Sequence, residues 1–238
     1  MVNLVRILLV VILLSMASCS TDDGINVVVN GNSSLCSDGT IKIVGEGSVI
    51  TETLAIADFN SIVNLQGINV NISQGQTQVV TATGQSNIIN KIVPIVSDNT
   101  WTVVLEEGCY SNVELTIDIT IPTLDQVTSR SSGGININGF EGVQDLTIES
   151  MGSGHIIGNS NFESLINLEV VNRGSGNIVL YPLEANDCTI ISAGSGNNFV
   201  YARNTLNVTL SGSGNVSYKG SPTITQTISG SGTLIDDN

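Results

Sequence analysis

The chain has 238 residues and a formal net charge of −14, and only 12% of its residues are charged. So acidic a chain repels phosphate backbones and anionic lipid surfaces, which excludes nucleic acid as a partner. A single histidine and four cysteines, with no CxxC pair and no histidine at ligand spacing, leave no metal centre or cofactor to expect.

Residues 1–18 read as a secretory leader. Arg6 precedes the apolar run Ile7 to Leu14, and small residues follow at Ala17-Ser18. The run is too short for the roughly twenty residues that span a bilayer. Met16-Ala17-Ser18-Cys19 is similar to a bacterial lipobox, whose cysteine is acylated and becomes the mature N-terminus. Acyl chains at about 0.8 kcal/mol per buried methylene would hold Cys19 at a membrane, and that anchor makes the membrane the first expected partner. Residues 19–24 form a short acidic tether. Ser20 behind the cysteine is compatible with transfer to the bacterial outer membrane. Asp22-Asp23 resembles the surface-export signal of Bacteroidetes lipoproteins, so a surface-exposed and a periplasm-facing location both stay open.

Residues 25–238 read as one all-β domain. Ile25-Val27-Val29, Ile41-Ile43, Ile68-Val70-Ile72 and Trp101-Val103-Leu105 alternate as half-buried strands do. Val113 to Ile121 is the clearest run, and Pro122 closes it because proline cannot donate to a ladder. Turn signals at Gly45-Glu46-Gly47, Gln74-Gly75-Gln76, Ser97-Asp98-Asn99 and Glu107-Gly108 separate these strands. This half is expected to cap one open end of the more regular second half.

From residue 132 onward one tripeptide keeps returning. Gly-Ser-Gly ends at Gly154, Gly176, Gly196, Gly214 and Gly232, and a blurred copy, Ser132-Gly133-Gly134, precedes them. Counted from Gly134 the steps are 20, 22, 20, 18 and 18 residues. Eight places before each final glycine stand Leu146, Leu168, Cys188, Leu206 and Ile224; six before stand Ile148, Val170, Ile190, Val208 and Gln226. A period near twenty with aliphatic residues in phase predicts a parallel β-solenoid, each repeat one turn that cannot bury its apolar face alone. Stacked turns about 4.8 Å apart would pile like residues on like. The glycines mark a corner where either positive φ or close backbone approach excludes a Cβ. Two places after each final glycine stand Ile156, Ile178, Asn198, Val216 and Leu234, so two slots depart from the pattern, Asn198 here and Gln226 above. Each either forms a hydrogen-bonded rung or marks a one-residue slip, and at Asn198 a slip would bring Phe199 inward. An unpaired buried amide costs about 1–3 kcal/mol, which favours the slip.

Cys188 falls on an aliphatic column, where cysteine behaves as a small hydrophobe. Cys36 and Cys109 sit in turn-like segments of an exported chain; they either pair in a disulfide or stay free. Tyr181 and Tyr201 each lie five residues past a final glycine. They are expected to stack on one outer face, either as a structural rung or as a ligand-contact face for sugar.

Phe59-Asn60-Ser61-Ile62, then Gly67 to Gly75, followed by the serial Gly-Ser-Gly turns and Ser211 to Pro222, resemble the head GIN domain, also called the putative auto-transporter adhesin domain (DUF2807). The resemblance covers about residues 50–235. It implies a right-handed parallel β-helix, reminiscent of pectin lyases, in an exported or lipid-anchored bacterial protein without established catalytic residues. Met151, Arg173 and Ala193 replace the leading serine of the motif. Adhesion to a surface glycan or protein is the role implied, and the chain is expected not to be an enzyme. A pectin-lyase-type enzyme and a purely structural envelope scaffold are the alternatives. For the enzyme, Glu141, Asp145, Glu149, Glu163 and Glu169 would supply carboxylates, and Arg173, Arg203 or His155 the proton chemistry, but these are scattered along the chain.

Overall fold

The computed structural model describes residues 35–36 and 39–238. The expected leader, Cys19, the tether and the strand from Ile25 to Val29 lie outside them. The first half contains β1 (Lys42–Val44), β2 (Val49–Leu54), β3 (Ser61–Asn64), β4 (Asn69–Gln74), β5 (Val79–Gln85), one helical turn α1 (Ser86–Ile89), β6 (Val96–Ser97), β7 (Thr100–Val103), β8 (Cys109–Ser111) and β9 (Leu115–Ile121). The second half contains β10 (Gln126–Ser129), β11 (Ile135–Ile137), β12 (Asp145–Ser150), β13 (Ile156–Gly158), β14 (Asn167–Asn172), β15 (Ile178–Ser192), β16 (Asn198–Leu210), β17 (Val216–Lys219), β18 (Thr223–Ile228) and β19 (Leu234–Asp236).

The protein is all-β, and its strands fall into one large mixed sheet and a small one formed by β1 and β8. From β10 onward every pairing is parallel. One ladder runs β3, β10, β12, β14, then the second halves of β15 and β16, then β18. The other runs β4, β11, β13, the first halves of β15 and β16, then β17 and β19. The Gly-Ser-Gly corners carry the chain from the first ladder to the second.

Register follows the hydrophobic pattern. Leu146 pairs with Leu168, Leu168 with Cys188, Cys188 with Leu206 and Leu206 with Ile224, one column throughout. Beside it run Ile148, Val170, Ile190 and Val208, and in the second ladder Val70, Ile135, Ile156 and Ile178. Apart from Ile224 on the last strand these residues are buried. Each aliphatic side chain so enclosed contributes about 1.5–3 kcal/mol, and a one-residue slip would turn the whole set outward.

The corner glycines answer to close approach and not to left-handed backbone. Among the described glycines positive φ occurs at Gly39, Gly47, Gly142 and Gly220 and at no glycine of a Gly-Ser-Gly corner. A Cβ on Gly154, Gly176, Gly196, Gly214 or Gly232 would instead collide with the carbonyl oxygen of the glycine one rung earlier. The first motif aligns differently from its sequence spacing. Ile135 pairs with Ile156 and with Val70, so Gly133 stands against Gly154 and Gly134 stands against His155. The first step is therefore 21 residues and not 20.

An all-parallel sheet does not extend to the N-terminal end. There β5 is antiparallel to both β2 and β9, and β6 is antiparallel to β7. The β6–β7 connection is a two-residue hairpin in which Asp98 and Asn99 take φ of 50° and 57°, the backbone a tight antiparallel turn requires. The chain lays β7 against β3 and β9 against β4 before returning to begin β10. Ile88 and Ile89 of α1 are buried against this end, and Phe59 packs on Trp101 with ring centroids 5.5 Å apart.

Two further expectations are settled by the register. Asn198 pairs with Ile178 and Val216 and is fully buried, so no slip occurs and Phe199 faces outward. Its amide is satisfied: Asn198 Nδ2 donates to Ser192 Oγ (3.0 Å), and its Oδ1 accepts from Asn172 Nδ2 (3.0 Å). Gln226 likewise stays in register with Val208 but is exposed, because β18 is the last strand of its ladder.

Candidate functional site

The interior also holds a polar column that the aliphatic pattern conceals. Asn64, Ser129, Ser150, Asn172 and Ser192 pair in sequence and are all fully buried. Asn172 Nδ2 donates to Gly176 O (3.1 Å) and its Oδ1 accepts from Gly174 N (3.1 Å), so this side chain fastens the Gly-Ser-Gly corner from inside. Asn64 Nδ2 binds Ile68 O (2.8 Å) in the same way.

A second chain of amides lies outside the corner. Asn177 Oδ1 accepts the N–H of Asn197 (2.9 Å), Asn197 Oδ1 that of Asn215 (2.8 Å) and Asn215 Oδ1 that of Thr233 (3.0 Å). His155 belongs to this series, since its Nδ1 accepts the N–H of Asn177 (3.0 Å). The one histidine thus closes a backbone rung, a role its neighbours give to asparagine.

The outer row where the chain enters the first ladder is the site these frameworks present. Asp145, Asn167, Asp187, Thr205 and Thr223 follow one another in register. Asn167 Nδ2 donates to Asp145 Oδ1 and Thr205 Oγ1 to Asp187 Oδ1, both at 2.6 Å. Toward the N-terminal end Asn60 Nδ2 donates to Asp125 Oδ2 at 2.6 Å. Two shallow clefts open beside these residues. One of about 580 Å³ is lined by Asp58, Phe59, Asn60, Gln76 to Gln78, Asn99, Pro122 and Thr123. The other, of about 450 Å³, is lined by Thr123, Asp125, Gly142 to Asp145 and Thr147, and shares Thr123 with the first. Alternating amide, carboxylate and hydroxyl groups at strand spacing offer donors and acceptors to a neutral polyhydroxylated or peptide ligand lying across the rungs.

The tyrosines are placed otherwise than expected. Tyr201 pairs with Glu184 and with Lys219, whereas Tyr181 lies in a bulge of β15, between the register shifts at Val179 and Glu184. Tyr181 meets Phe199 edge-on at 5.6 Å, receives Lys219 Nζ over its ring at 4.9 Å, and donates its hydroxyl to Asp237 Oδ2 at 2.7 Å. The two tyrosines therefore do not stack on each other. The extra residues around Pro182 push Tyr181 out of the rung that Tyr201 occupies.

Burial first, and then the hydrogen bond to Asp237, push the Tyr181 phenol up to about 12. The unfolded phenol ionises near 10. Its contribution to stability is thus complete below pH 10 and lost as pH rises toward 12, because the unfolded chain releases the proton first. Tyr181→Phe should flatten the fall in thermal midpoint between pH 10 and 12, and absorbance titration should show one tyrosine fewer ionising late. An unchanged alkaline limb would contradict this assignment.

The remaining candidates separate. Arg173 is held by Glu149 (2.7 Å) and Arg203 by Glu184 (2.6 Å), both at the surface. Glu169 lies on the row of Thr147 and Thr189, while Glu141 and Glu163 are in loops between strands. Among the described residues no three His, Cys, Asp or Glu side chains gather closely enough to hold a metal. Cys188 is buried, and that burial, with the nearby Asp187 charge, raises its thiol to about 12, so it stays protonated and unreactive. Cys36 and Cys109 are joined in a disulfide that ties the segment before β1 to β8.

These features define an all-β protein whose stacked strands present a long, regular polar face. The chain belongs to the family described as "Putative auto-transporter adhesin, head GIN domain" (DUF2807), matched over residues 58–167 and 164–222. It is similar to a solved structure of a putative adhesin from Bacteroides fragilis, with 27% identity and a TM-score of 0.69, covering 81% of this chain and 98% of that one. It shares its fold with a putative lipid binding protein from Parabacteroides distasonis, at 21% identity and a TM-score of 0.55, covering 82% of this chain and 100% of that one. A search of the curated proteins finds no match.

Proposed function

We propose that this chain is a lipid-anchored protein of the bacterial outer membrane that binds a surface glycan or protein without catalysis. In this reading residues 1–18 are removed, Cys19 carries the acyl chains, residues 19–24 form the tether, and residues 25–238 form one right-handed parallel β-helix. The observation that carries the binding role is the outer row Asp145, Asn167, Asp187 and Thr205, with the Asn60–Asp125 pair beside its N-terminal end. Its polar groups recur once per rung and are pre-ordered by short hydrogen bonds, so a ligand would meet many weak contacts already in place. Membership in a family described as an adhesin supports the same reading, and so does the likeness to the Bacteroides fragilis structure. Tyr181 and Tyr201 would contribute a smaller contact face near the other ladder.

Incubation with envelope and host polysaccharides should give retention on the glycan without new reducing ends or unsaturated products. An Asn167→Ala and Asp187→Ala double variant should bind about tenfold or more weakly, as loss of two polar contacts worth about 1 kcal/mol each predicts. Protease shaving of intact cells would report exposure at the surface. Turnover of any polysaccharide, or unaltered binding by the double variant, would overturn the proposal.

A further inference from the structure

The two ends of the parallel ladders are finished differently. At the N-terminal end β7 is partnered by β6, β9 by β5 and β5 by β2, with α1 packed over them. At the opposite end β18 pairs with β16 and β19 with β17, and among the described residues neither has a partner on its other side. Every residue of β18 is exposed. Ile224 and Ile228, which continue the buried Leu206 and Leu210 columns, keep 38% and 43% of their surface exposed. An open strand edge of this kind normally carries lysine, proline within the strand, or a bulge to prevent pairing. β18 carries none of these, and from Gly220 to Ile235 no residue is charged.

We infer that the edge of β18 is an interface for a second copy of this chain, the two strands pairing antiparallel about a two-fold axis through Gln226. The strand reads nearly the same in both directions from that residue: Thr225 and Thr227, Ile224 and Ile228, then Thr223 and Ser229. An isologous interface needs this self-complementarity. Antiparallel pairing centred there sets Ile224 against Ile228 of the second copy, Thr225 against Thr227, and Gln226 against Gln226. The apolar columns then continue from one copy into the next, and the glutamine that interrupts the Val208 column meets its own amide, donor to acceptor. Charge selects the same face. Two bodies at −14 repel wherever their acidic surfaces meet, and the uncharged β18 strand lets them approach with least opposition. Other neutral partners lack the palindromic match.

The full chain in non-ionic detergent should sediment as a dimer at micromolar concentration, more tightly at high salt, where screening removes the remaining repulsion. Q226K would set two ammonium groups face to face across the axis. It should weaken the dimer about tenfold or more, with an unchanged thermal midpoint at dilutions where both proteins are monomeric, because the position is exposed. Q226C should cross-link on mild oxidation, since directly opposed strand residues have Cα atoms about 4.5–5.5 Å apart, within disulfide reach. T223C should not, because its two copies would lie about 20 Å apart at this register. A monomer at every salt concentration, a dimer indifferent to Q226K, or cross-linking of T223C as readily as Q226C would each overturn the inference.

Discussion

Gly133→Ala should lower the midpoint of thermal unfolding by about 6–12 °C, whereas Gly134→Ala should leave it unchanged or raise it slightly. The two glycines are adjacent and look equivalent in sequence, but they face different surroundings. A Cβ on Gly133 would collide with the carbonyl oxygen, carbonyl carbon and nitrogen of Ile68, all of them backbone. Backbone in a parallel ladder cannot swing aside as a side chain can, so two rungs must separate locally. Overpacking of this sort costs about 3 kcal/mol, and about 2–4 °C accompanies each kcal/mol in a domain of this size. A Cβ on Gly134 would meet nothing nearer than Asn69 Oδ1 at 3.5 Å, and its φ is not positive. There alanine only restricts the unfolded chain, a gain of about 0.4–1 kcal/mol. Ser175→Ala, between two stacked glycines but exposed, is the matching control and should change little. Paired melts of the three variants, monitored by circular dichroism, decide the matter. If Gly134→Ala proved the more harmful, the assignment of Gly133 to the stacked position would be wrong.

That contrast also marks how far the sequence can be read. The aliphatic columns are legible because inward positions recur at fixed distances from each glycine, and register leaves them no freedom. The polar column is less so. Ser129, Ser150, Asn172 and Ser192 stand four places before the stacked glycines, a position that reads as the polar start of a turn; only burial distinguishes it from one. Asn198 escapes sequence reasoning on the same ground, and the slip expected there does not occur. An isolated buried amide is costly, but this one has two partners on other strands, Asn172 one rung earlier and Ser192 across its own corner, and single-strand patterning does not reveal them. The bulge at Tyr181 does leave a trace: the interval from Gly176 to Gly196 is longer than the one from Gly196 to Gly214. The shifts between Val179 and Glu184 and between Ala185 and Asp187 account for that difference. The antiparallel cap has no such trace, since a strand alternates identically whichever way its neighbour runs. The hydrogen-bonded outer row is visible only as scattered Asp and Asn residues, because strand spacing across rungs, and not along the chain, brings them together.

Asn172 should prove the most sensitive polar side chain in the interior. Asn172→Leu removes the acceptor for Gly174 N and the donor to both Gly176 O and Asn198 Oδ1, within a site sealed from water. Each buried group left without a partner costs about 1–3 kcal/mol, so a loss of about 3 kcal/mol or more is expected, with the Gly174–Gly176 corner loosened first. Asn198→Val should be milder, about 1–2 kcal/mol, because valine suits a slot between Ile178 and Val216 and Asn172 keeps both of its bonds to the corner. If the two amides act as one network, the double variant will lose less than the sum of the single losses, since each substitution removes a group the other would strand. Denaturant melts of the four proteins give that coupling directly, and hydrogen exchange at Gly174 and Gly176 locates it. Strict additivity, or a larger loss from Asn198→Val than from Asn172→Leu, would mean that the corner is held by glycine stacking alone and that the buried amides only fill space.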